Sequence, residues 1–290
     1  MKTYTVLEDS SILDVLKKIF PDSSNTTLRE ILQRKRVYVN LQLCVNAKKI
    51  VEKDCIVEIH PTLKKIPYGI EIIFEDSDIL VINKPSDLLS VPLDNGKMEN
   101  ALIVLRKFFD NKNILPVHRI DKGTSGVMIF SKNTNSYDKL KEMFKLHELK
   151  REYLAIVDGN LEEQEGIWQS YLTENSEYSV RSVPDETEGK IAITYFSVIK
   201  KSKNFTYIKL RLETGRKHQI RVHCKDAGHP ILGDKRYAPE IVSPISRMCL
   251  HSFLLEFLHP ITRKKMSFTA PIPSAFKKLG LINKNFVNIR

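Results

Sequence analysis

The sequence predicts an α+β protein in which a small N-terminal α/β module precedes a larger domain built on a mixed, largely antiparallel sheet. Three observations predict this fold class. Strand-like apolar runs recur from residue 70 onward, the helical patterns between them are few and irregularly spaced, and a connector containing two prolines separates this region from the start of the chain. A regular βαβ array would instead alternate strands and helices.

The length and composition agree with two folded units. A chain of 290 residues with 42% hydrophobic and 28% charged residues can form one large domain plus a small module, and it can bury a sizeable core. The formal net charge is +11, so the folded surface attracts polyanions. RNA, DNA and an anionic membrane surface all remain open as partners on composition alone.

Targeting signals and cysteine motifs are missing from the sequence. The start, MKTYTVLEDS, is polar where a secretory signal requires an apolar run, and no apolar stretch is as long as a membrane span. The four cysteines contain no C-x-x-C pair, which argues against a disulfide framework or a zinc ribbon. We therefore expect a soluble, cytoplasmic protein with reduced thiols and no membrane association.

The N-terminal module is predicted over residues 1–62. Ser10 and Ser11, which can cap the first turn of a helix, precede an apolar stripe at helical spacing up to residue 20. A second helix is expected to begin near Thr26 or Thr27. Alternating apolar residues around 37–39 and 55–59 predict short strands. Basic residues gather on and after the second helix, namely Arg29, Arg34, Lys35 and Arg36. Charge alone is also compatible with an ordinary solvated helix.

The larger domain is predicted over residues 68–290. It follows the segment from His60 to Pro67, in which the prolines oppose regular structure. Strands are predicted at 70–74, 79–83, 127–131, 153–157, 191–198 and 207–212. Helices are predicted near 99–109, 134–146 and 216–227.

The first chemically distinctive segment is PVHRIDKGTSGVMIFSK, residues 116–132. It places His118, Arg119 and Asp121 before a glycine-containing turn and a buried-looking strand, where catalytic groups are often found on a loop attached to a rigid scaffold. Taken alone, Asp121 between basic neighbours is better explained as a surface ion pair. His118 and Asp121 have no further ligands at supporting spacing, so we expect no metal site.

The second segment is LETGRKHQIRVHCKDAGHPILGD, residues 212–234. If residues 216–227 form a helix, Lys217, His218 and Arg221 share one face. A solvated helix is the alternative. His218 and His223 are five residues apart, not the four that place two imidazoles on one zinc ion. The third segment is KREYLAIVDG, residues 150–159, in which Tyr153 alternates with apolar residues and could belong simply to the core.

Together, these three segments resemble the RluA-type pseudouridine synthases in their order and separation. The likeness extends to YGIEIIFEDSDILVINKPSDLLSVP at residues 68–92 and to RMCLHSFLLEFLHP and SFTAPIP within residues 247–273, so it covers about residues 68–275. Several ordered motifs are much more specific than any single one. The resemblance implies the pseudouridine synthase fold and isomerisation of uridine to pseudouridine in structured RNA.

The resemblance also implies residue roles. Asp121 matches the catalytic aspartate, Arg221 the arginine that pairs with it, and Tyr153 the active-site tyrosine that stacks on uracil. Arg119 matches an arginine expected to fill the space left by the extruded base, and Arg216, Lys217 and His218 are expected to hold phosphate or to shape the pocket. Because substrate and product contain the same atoms, no cofactor or metal is expected.

The N-terminal module resembles the RNA-binding domain first named from the small-subunit ribosomal protein S-four, whose core R-x-x-V-x-V-N matches residues 34–40. Lys35 and Leu41 stand where that family usually has turn glycines, so its second hairpin is expected to differ. Several synthases with this module modify large-subunit ribosomal RNA, whereas those acting on transfer RNA often lack it. Ribosomal RNA is therefore the favoured substrate and transfer RNA the alternative.

Two further functions remain open on the sequence. One is a non-catalytic RNA-binding or ribosome-assembly factor on the same fold, and the other is a metal-dependent nuclease or hydrolase that uses the histidines. For a pseudouridine synthase, RNA is the expected partner whether the substrate is ribosomal RNA or transfer RNA. We expect a monomer without an obligate protein partner.

Overall fold

The computed structural model divides into two compact units, Met1–Lys64 and Lys65–Arg290. The described residues are 2–33, 36–40, 42–59, 66–93, 98–176, 178–277 and 279. Most of the predicted connector, residues 60–65, lies outside them. No helix in the described part of the chain is long and apolar enough to span a membrane.

The N-terminal unit is a small α/β structure. Its elements are β1 Lys2–Thr5, β2 Ser10–Ser11, α1 Ile12–Ile19, α2 Asn25–Gln33, β3 Val37–Val39, β4 Gln42–Cys44, β5 Ile50–Val51 and β6 Ile56–Ile59. Four strands pair antiparallel in the order β1-β6-β3-β4, and β2 pairs with β5. The apolar faces of both helices and the sheet share one core.

Local sequence signals explain where these helices begin. The Ser11 hydroxyl accepts a hydrogen bond from the Asp14 backbone N–H, so the predicted cap of the first helix is confirmed. The second helix begins at Asn25, slightly before the predicted start, because the Ser24 hydroxyl accepts from the Thr27 N–H. Lys35 and Leu41, the predicted departures from turn glycine, lie outside the described residues.

The second unit is dominated by one large sheet. Its strands are β7 Glu71–Glu75, β8 Ile79–Lys84, β9 Leu115–Pro116, β10 Ser125–Ser131, β11 Lys150–Asp158, β12 Glu165–Glu174, β13 Val180–Val183, β14 Lys190–Lys201, β15 Phe205–Leu212, β16 Leu250–Leu258 and β17 Lys265–Thr269. Its helices are α3 Ala101–Phe109, α4 Thr134–Lys145, α5 Gln219–Asp226 and α6 Ser274–Lys277, with a 3₁₀ turn at Pro67–Gly69.

The sheet confirms the predicted fold class. Along its main path the order is β13-β12-β14-β15-β11-β16-β10-β8-β7, with β17 beside β16 and β9 beside β10. Among the described strands, β10 and β16 pair in parallel and the other pairs are antiparallel. The six predicted strands of this unit all correspond to observed ones.

Burial on both faces explains the continuous apolar runs. In β8, Leu80 and Ile82 belong to the core cluster that includes helix α3, whereas Ile79 and Val81 belong to the cluster that includes helix α4. A strand covered on both sides needs apolar residues at every position. β12, by contrast, is largely exposed on one face and contains no such run, and the sequence analysis missed it.

A close backbone approach fixes the parallel pair at the centre of the sheet. Ser125 and Gly126 of β10 are aligned with His251 and Ser252 of β16. Gly126 has a φ of +113°, and a Cβ there would lie 2.0 Å from the Ser252 carbonyl oxygen. Only glycine permits this approach.

We expect Gly126→Ala to lower the free energy of unfolding by about 3 kcal/mol or more, because it adds both a clash and backbone strain. Urea unfolding measures this. Gly228→Ala is the matched control: Gly228 has a φ of +80° but no atom within 4 Å of the added Cβ, so it should cost only about 1 kcal/mol. Equal losses in both variants would contradict the role assigned to the close approach.

Candidate active site

A cavity of about 910 Å³ brings the three distinctive segments together. The predicted site residues that line it are Arg119, Asp121, Tyr153, Arg216, His218 and Arg221. Lys217 is not among the lining residues. Its ammonium group pairs with Glu174 and lies 5.1 Å from the centre of the Tyr178 ring.

The centre of the site is a guanidinium shared by two carboxylates. Arg221 Nη1 donates to Asp121 Oδ2 at 3.1 Å. On its other edge, Arg221 donates from Nε and Nη2 to the two oxygens of Asp234 at 2.7 and 2.8 Å. The Asp234 side chain is 1% exposed, whereas that of Asp121 is 21% exposed. Asp234 therefore anchors the arginine, and Asp121 faces the cavity.

Electrostatic interaction between Arg221 and Asp234 keeps both of these groups charged. Burial alone would lower the pKa of Arg221, but hydrogen bonds and charge from Asp234 and Asp121 outweigh burial and raise it. Burial likewise opposes the charge on Asp234, yet Arg221 holds the pKa of that carboxyl below its ordinary value. The guanidinium also lies 4.8 Å from the centre of the Tyr237 ring. The geometry thus supplies a fixed cation beside Asp121.

The turn before α5 differs from the helix predicted over 216–227. The prediction was wrong for residues 216–218, because His218 has a φ of +54° and the helix begins at Gln219. The buried Gln219 amide explains this turn. Its oxygen accepts from the Thr214 hydroxyl at 2.8 Å and from the Arg216 N–H at 3.0 Å, and its nitrogen donates to strand β14.

His218 is neutral at ordinary pH. Burial, together with nearby Arg221 and other cations, lowers its pKa to about 4 against the opposing effect of Asp121. Its Nδ1 lies 2.8 Å from the Tyr237 hydroxyl, which also accepts from the Val180 N–H. His218 Nε2 lies 3.9 Å from Asp121 Oδ1. As a neutral ring, His218 is suited to shaping the pocket and not to attracting phosphate by charge.

Tyr153 stands on β11 at the cavity wall and is largely buried. The pairing of β11 with β16 shifts register between Glu152 and Tyr153 because Phe253 of β16 is the extra residue, whereas β11 keeps an unbroken register with β15. Burial raises the pKa of Tyr153, Asp121 adds to the rise, and Arg151 opposes it. The phenol is therefore protonated at ordinary pH.

The contacts of His118 give it a structural role, because they join its loop to β10 and α4. Its Nε2 accepts from the Ile129 N–H at 3.1 Å, and its ring stacks on Phe144 with centroids 4.7 Å apart. Burial, with Arg151 and Lys141 nearby, lowers its pKa to about 3. The Nε2 lone pair is thus already used, so His118 cannot offer that atom to a metal.

Another group of the described part of the chain has metal-ligand geometry: Asp76, Asp78 and His259. Most of the candidate ligand atoms of these three side chains already take part in hydrogen bonds within the protein. His259 Nδ1 accepts from the backbone N–H groups of Ile261 and Thr262, which leaves Nε2 to donate to Asp76 Oδ2 at 3.0 Å. A protonated Nε2 is not a metal ligand. We therefore assign these residues to holding the turn after His259 against the loop that contains Asp76.

The loop that carries Asp121 is held on both sides by residues 84–90. Lys84 is fully buried and donates to the carbonyls of Pro85, Leu88 and Lys122 at 2.8, 2.7 and 3.2 Å. The Ser90 hydroxyl donates to the Ile120 carbonyl at 2.6 Å and accepts from its N–H. Because Ile120 and Lys122 flank Asp121, these bonds fix its backbone.

Lys84, Ser90, Asp234 and Tyr237 were missed by the sequence analysis. Asp234 lies at the end of the second segment, and Lys84 ends an apolar strand, where a charged residue is unusual. Burial lowers the pKa of Lys84 to about 7, although Asp121 opposes this. A buried lysine bonded only to carbonyls has a positioning role that its local sequence does not reveal.

Comparison with known proteins identifies relatives of one kind. Residues 78–226 match the family described as RNA pseudouridylate synthase. The ribosomal large subunit pseudouridine synthase D of Buchnera aphidicola subsp. Acyrthosiphon pisum is 33% identical, covering 92% of each chain. The dual-specificity RNA pseudouridine synthase RluA of Pasteurella multocida is 39% identical over 71% of this chain and 94% of its own.

Solved structures support the fold. Human RNA pseudouridylate synthase domain containing 4 superposes with a TM-score of 0.61 at 21% identity, covering 74% of this chain and 95% of its own. Human RNA pseudouridylate synthase domain containing 1 gives 0.59 at 24% identity, covering 71% and 87%.

We expect Asp234→Asn to lower the free energy of unfolding by about 3–5 kcal/mol at neutral pH, since it leaves a buried guanidinium poorly compensated. Asp121→Asn, at the more exposed end of the same cluster, should cost less. Urea unfolding of both variants measures the difference.

The same pair gives a pH dependence. Because the folded pKa of Asp234 lies below that of the unfolded chain, its stabilisation is present above about pH 4 and is lost as the pH falls through the folded value. The gap between wild type and Asp234→Asn should therefore shrink on acidification. A gap that stayed constant would show that Asp234 stabilises the fold by packing alone.

Proposed function

The chain belongs to the RNA pseudouridylate synthase family, and on this premise we propose that it isomerises uridine in large-subunit ribosomal RNA with Asp121 as the catalytic carboxylate. The single observation that carries the assignment of Asp121 is its position in the cavity. One oxygen is bonded to Arg221, and the other has no hydrogen-bond partner among the described residues.

The reaction requires a carboxylate in this setting. The bond between uracil N1 and ribose C1′ breaks, the base turns, and a bond forms between C5 and C1′, while C5 loses a proton and N1 gains one. A carboxylate can attack covalently or stabilise charge as the first bond breaks. Arg221, whose Nη1 lies 3.1 Å from Asp121 Oδ2, supplies the counter-charge for such a group.

Two further side chains contact the nucleotide in this proposal. Tyr153, a protonated phenol on the cavity wall, stacks on the uracil ring. Arg119 is exposed on the cavity rim and has no hydrogen bond or ion pair with any residue in the described ranges. It is therefore free to occupy the space left when uridine leaves its stack.

The turn before α5 shapes the pocket. Arg216 donates from Nε to the Ile191 carbonyl at 2.9 Å, and neutral His218 stands beside Asp121. We assign both to pocket shape, with the free guanidinium edge of Arg216 available to phosphate. Lys217, paired with Glu174 outside the lining, is available to RNA only beyond the cavity.

The substrate proposal follows the relatives. The ribosomal large subunit synthases of Buchnera aphidicola and Salmonella typhimurium cover 92% and 89% of this chain. That coverage exceeds the second unit, so the likeness includes part of the N-terminal unit. We assign residues 1–62 as an RNA-binding module of the S-four type that adds affinity through phosphate contacts.

We also propose that the enzyme acts as a monomer in the cytoplasm. The residues assigned to the reaction, Asp121, Tyr153 and Arg221, all line one cavity of this chain. All four cysteines are free, as is usual in a reducing compartment.

We expect Asp121→Asn to lower the rate of tritium release from C5-labelled ribosomal RNA by about three orders of magnitude or more, because the group that acts on the nucleotide is removed. RNA binding should persist, which shows that the variant is folded. Asp185→Asn, at an exposed loop, is the control and should react like wild type. Tritium release by Asp121→Asn at the wild-type rate would overturn the assignment of Asp121. Release from transfer RNA but not from ribosomal RNA would overturn the proposed substrate.

We expect Arg29→Glu, on the exposed face of α2, to weaken binding of the full-length protein to ribosomal RNA. The slope of log Kd against log salt should fall by about one, which corresponds to the loss of one phosphate contact. The rate at saturating RNA should not change. Lys48→Glu reverses a charge elsewhere on the same unit and controls for net charge. The same loss in both variants would argue against a defined RNA-binding face on α2.

A further inference from the structure

We propose that Arg151 binds a phosphodiester of the RNA beside the target uridine, and that Lys141 and Lys145 of α4 complete an anion-binding wall of the cavity. The identity of the ligand as RNA rests on the proposed function. The anion site itself rests on the contacts of Arg151.

Arg151 is a neighbour of the proposed uracil-stacking residue. Arg151 and Tyr153 are two residues apart on β11, so their side chains leave the same face of the strand about 7 Å apart. Both line the cavity. A nucleotide stacked on Tyr153 would therefore bring its backbone within reach of the Arg151 guanidinium.

Arg151 has no counter-ion within the described ranges. Its Nη2 donates to the Glu213 carbonyl at 3.3 Å, and its Nε is buried without a hydrogen-bond partner. Arg221, by contrast, is compensated by two carboxylates. A partly buried guanidinium without an acid is costly, and burial lowers the pKa of Arg151. An anion from a ligand would supply the missing compensation.

The cavity wall is built around this guanidinium. A Cβ at Gly215 would lie 2.6 Å from Arg151 Nη1, so the absence of a side chain at 215 leaves the room that the group occupies. On another side, the guanidinium carbon lies 5.8 Å from the centre of the Phe144 ring. The group is thus held by neighbours that neutralise none of its charge.

Helix α4 adds two more free cations. Lys141 and Lys145 are four residues apart, so they lie on one face of the helix, and both line the cavity. Neither has an ion pair or hydrogen bond with a residue that the structure describes. Glu142 is the acid on this wall, which leaves an excess of positive charge. A planar guanidinium flanked by ammonium groups suits the paired oxygens of a phosphodiester.

The test is RNA binding over a series of KCl concentrations, with ribosomal RNA and the Asp121→Asn protein so that no turnover occurs. Adding Arg151→Gln should raise Kd about tenfold and lower the slope of log Kd against log salt by about one. Arg151→Lys should keep the slope with intermediate affinity. In the active enzyme, Arg151→Gln should raise KM and leave kcat nearly unchanged.

Gly215→Ala offers a second variant that keeps every charge. Its methyl group would displace the guanidinium, so it should reproduce the rise in Kd. Arg211→Gln is the matched control, because its register partner Glu152 precedes Tyr153 and places Arg211 on the opposite face of the sheet. Arg211→Gln should bind RNA like the parent.

Three results would overturn the proposal. An unchanged Kd and an unchanged salt slope in Arg151→Gln would show that Arg151 makes no phosphate contact. A lower kcat with unchanged binding would assign Arg151 to the base instead. A lower Tm would assign it to the fold, whereas we expect an equal or higher Tm once an uncompensated charge is removed. If wild type released no tritium, the proposed function would fail, but the binding series would still decide the anion site.

Discussion

Arg221 is the point at which separate parts of the second unit meet, because its guanidinium serves two acids that are far apart in sequence. Both oxygens of Asp234 accept hydrogen bonds from the Nε and Nη2 edge of the guanidinium, and the ring of Tyr237 covers one of its faces. This leaves a single N–H edge directed at Asp121. Displacing either acid would leave a charge without its partner, so the cluster constrains the start of α5 and the Asp121 loop together.

The loop that carries Asp121 is held more through its backbone than through its side chains. Lys84 and Ser90 bind the peptide groups on either side of Asp121, while one oxygen of the carboxylate accepts no hydrogen bond from any residue that the structure describes. Such an arrangement separates two requirements. Buried hydrogen bonds set the position of the Asp121 backbone, and the carboxylate stays accessible from the cavity.

The parts predicted from sequence are those governed by local patterns. β8 and β10 are buried on both faces and read as continuous apolar runs, whereas β12 is half exposed and does not. The start of α5 was misplaced because the left-handed backbone of His218 is set by contacts with a distant strand and with Tyr237. The roles of Lys84 and Asp234 depend on partners remote in sequence. Asp121 became distinctive only through the order of its companion motifs.

The order of strands in the sheet has a consequence for biosynthesis. β10, which follows the Asp121 loop, and β11, which carries Tyr153, do not pair with each other, because β16 lies between them. β16 spans Leu250–Leu258 and is made after both of them. These contacts of long sequence separation form late. A nascent chain that has not yet released β16 from the ribosome therefore lacks the strand that joins β10 to β11, and the Asp121 loop and Tyr153 are not yet held in register.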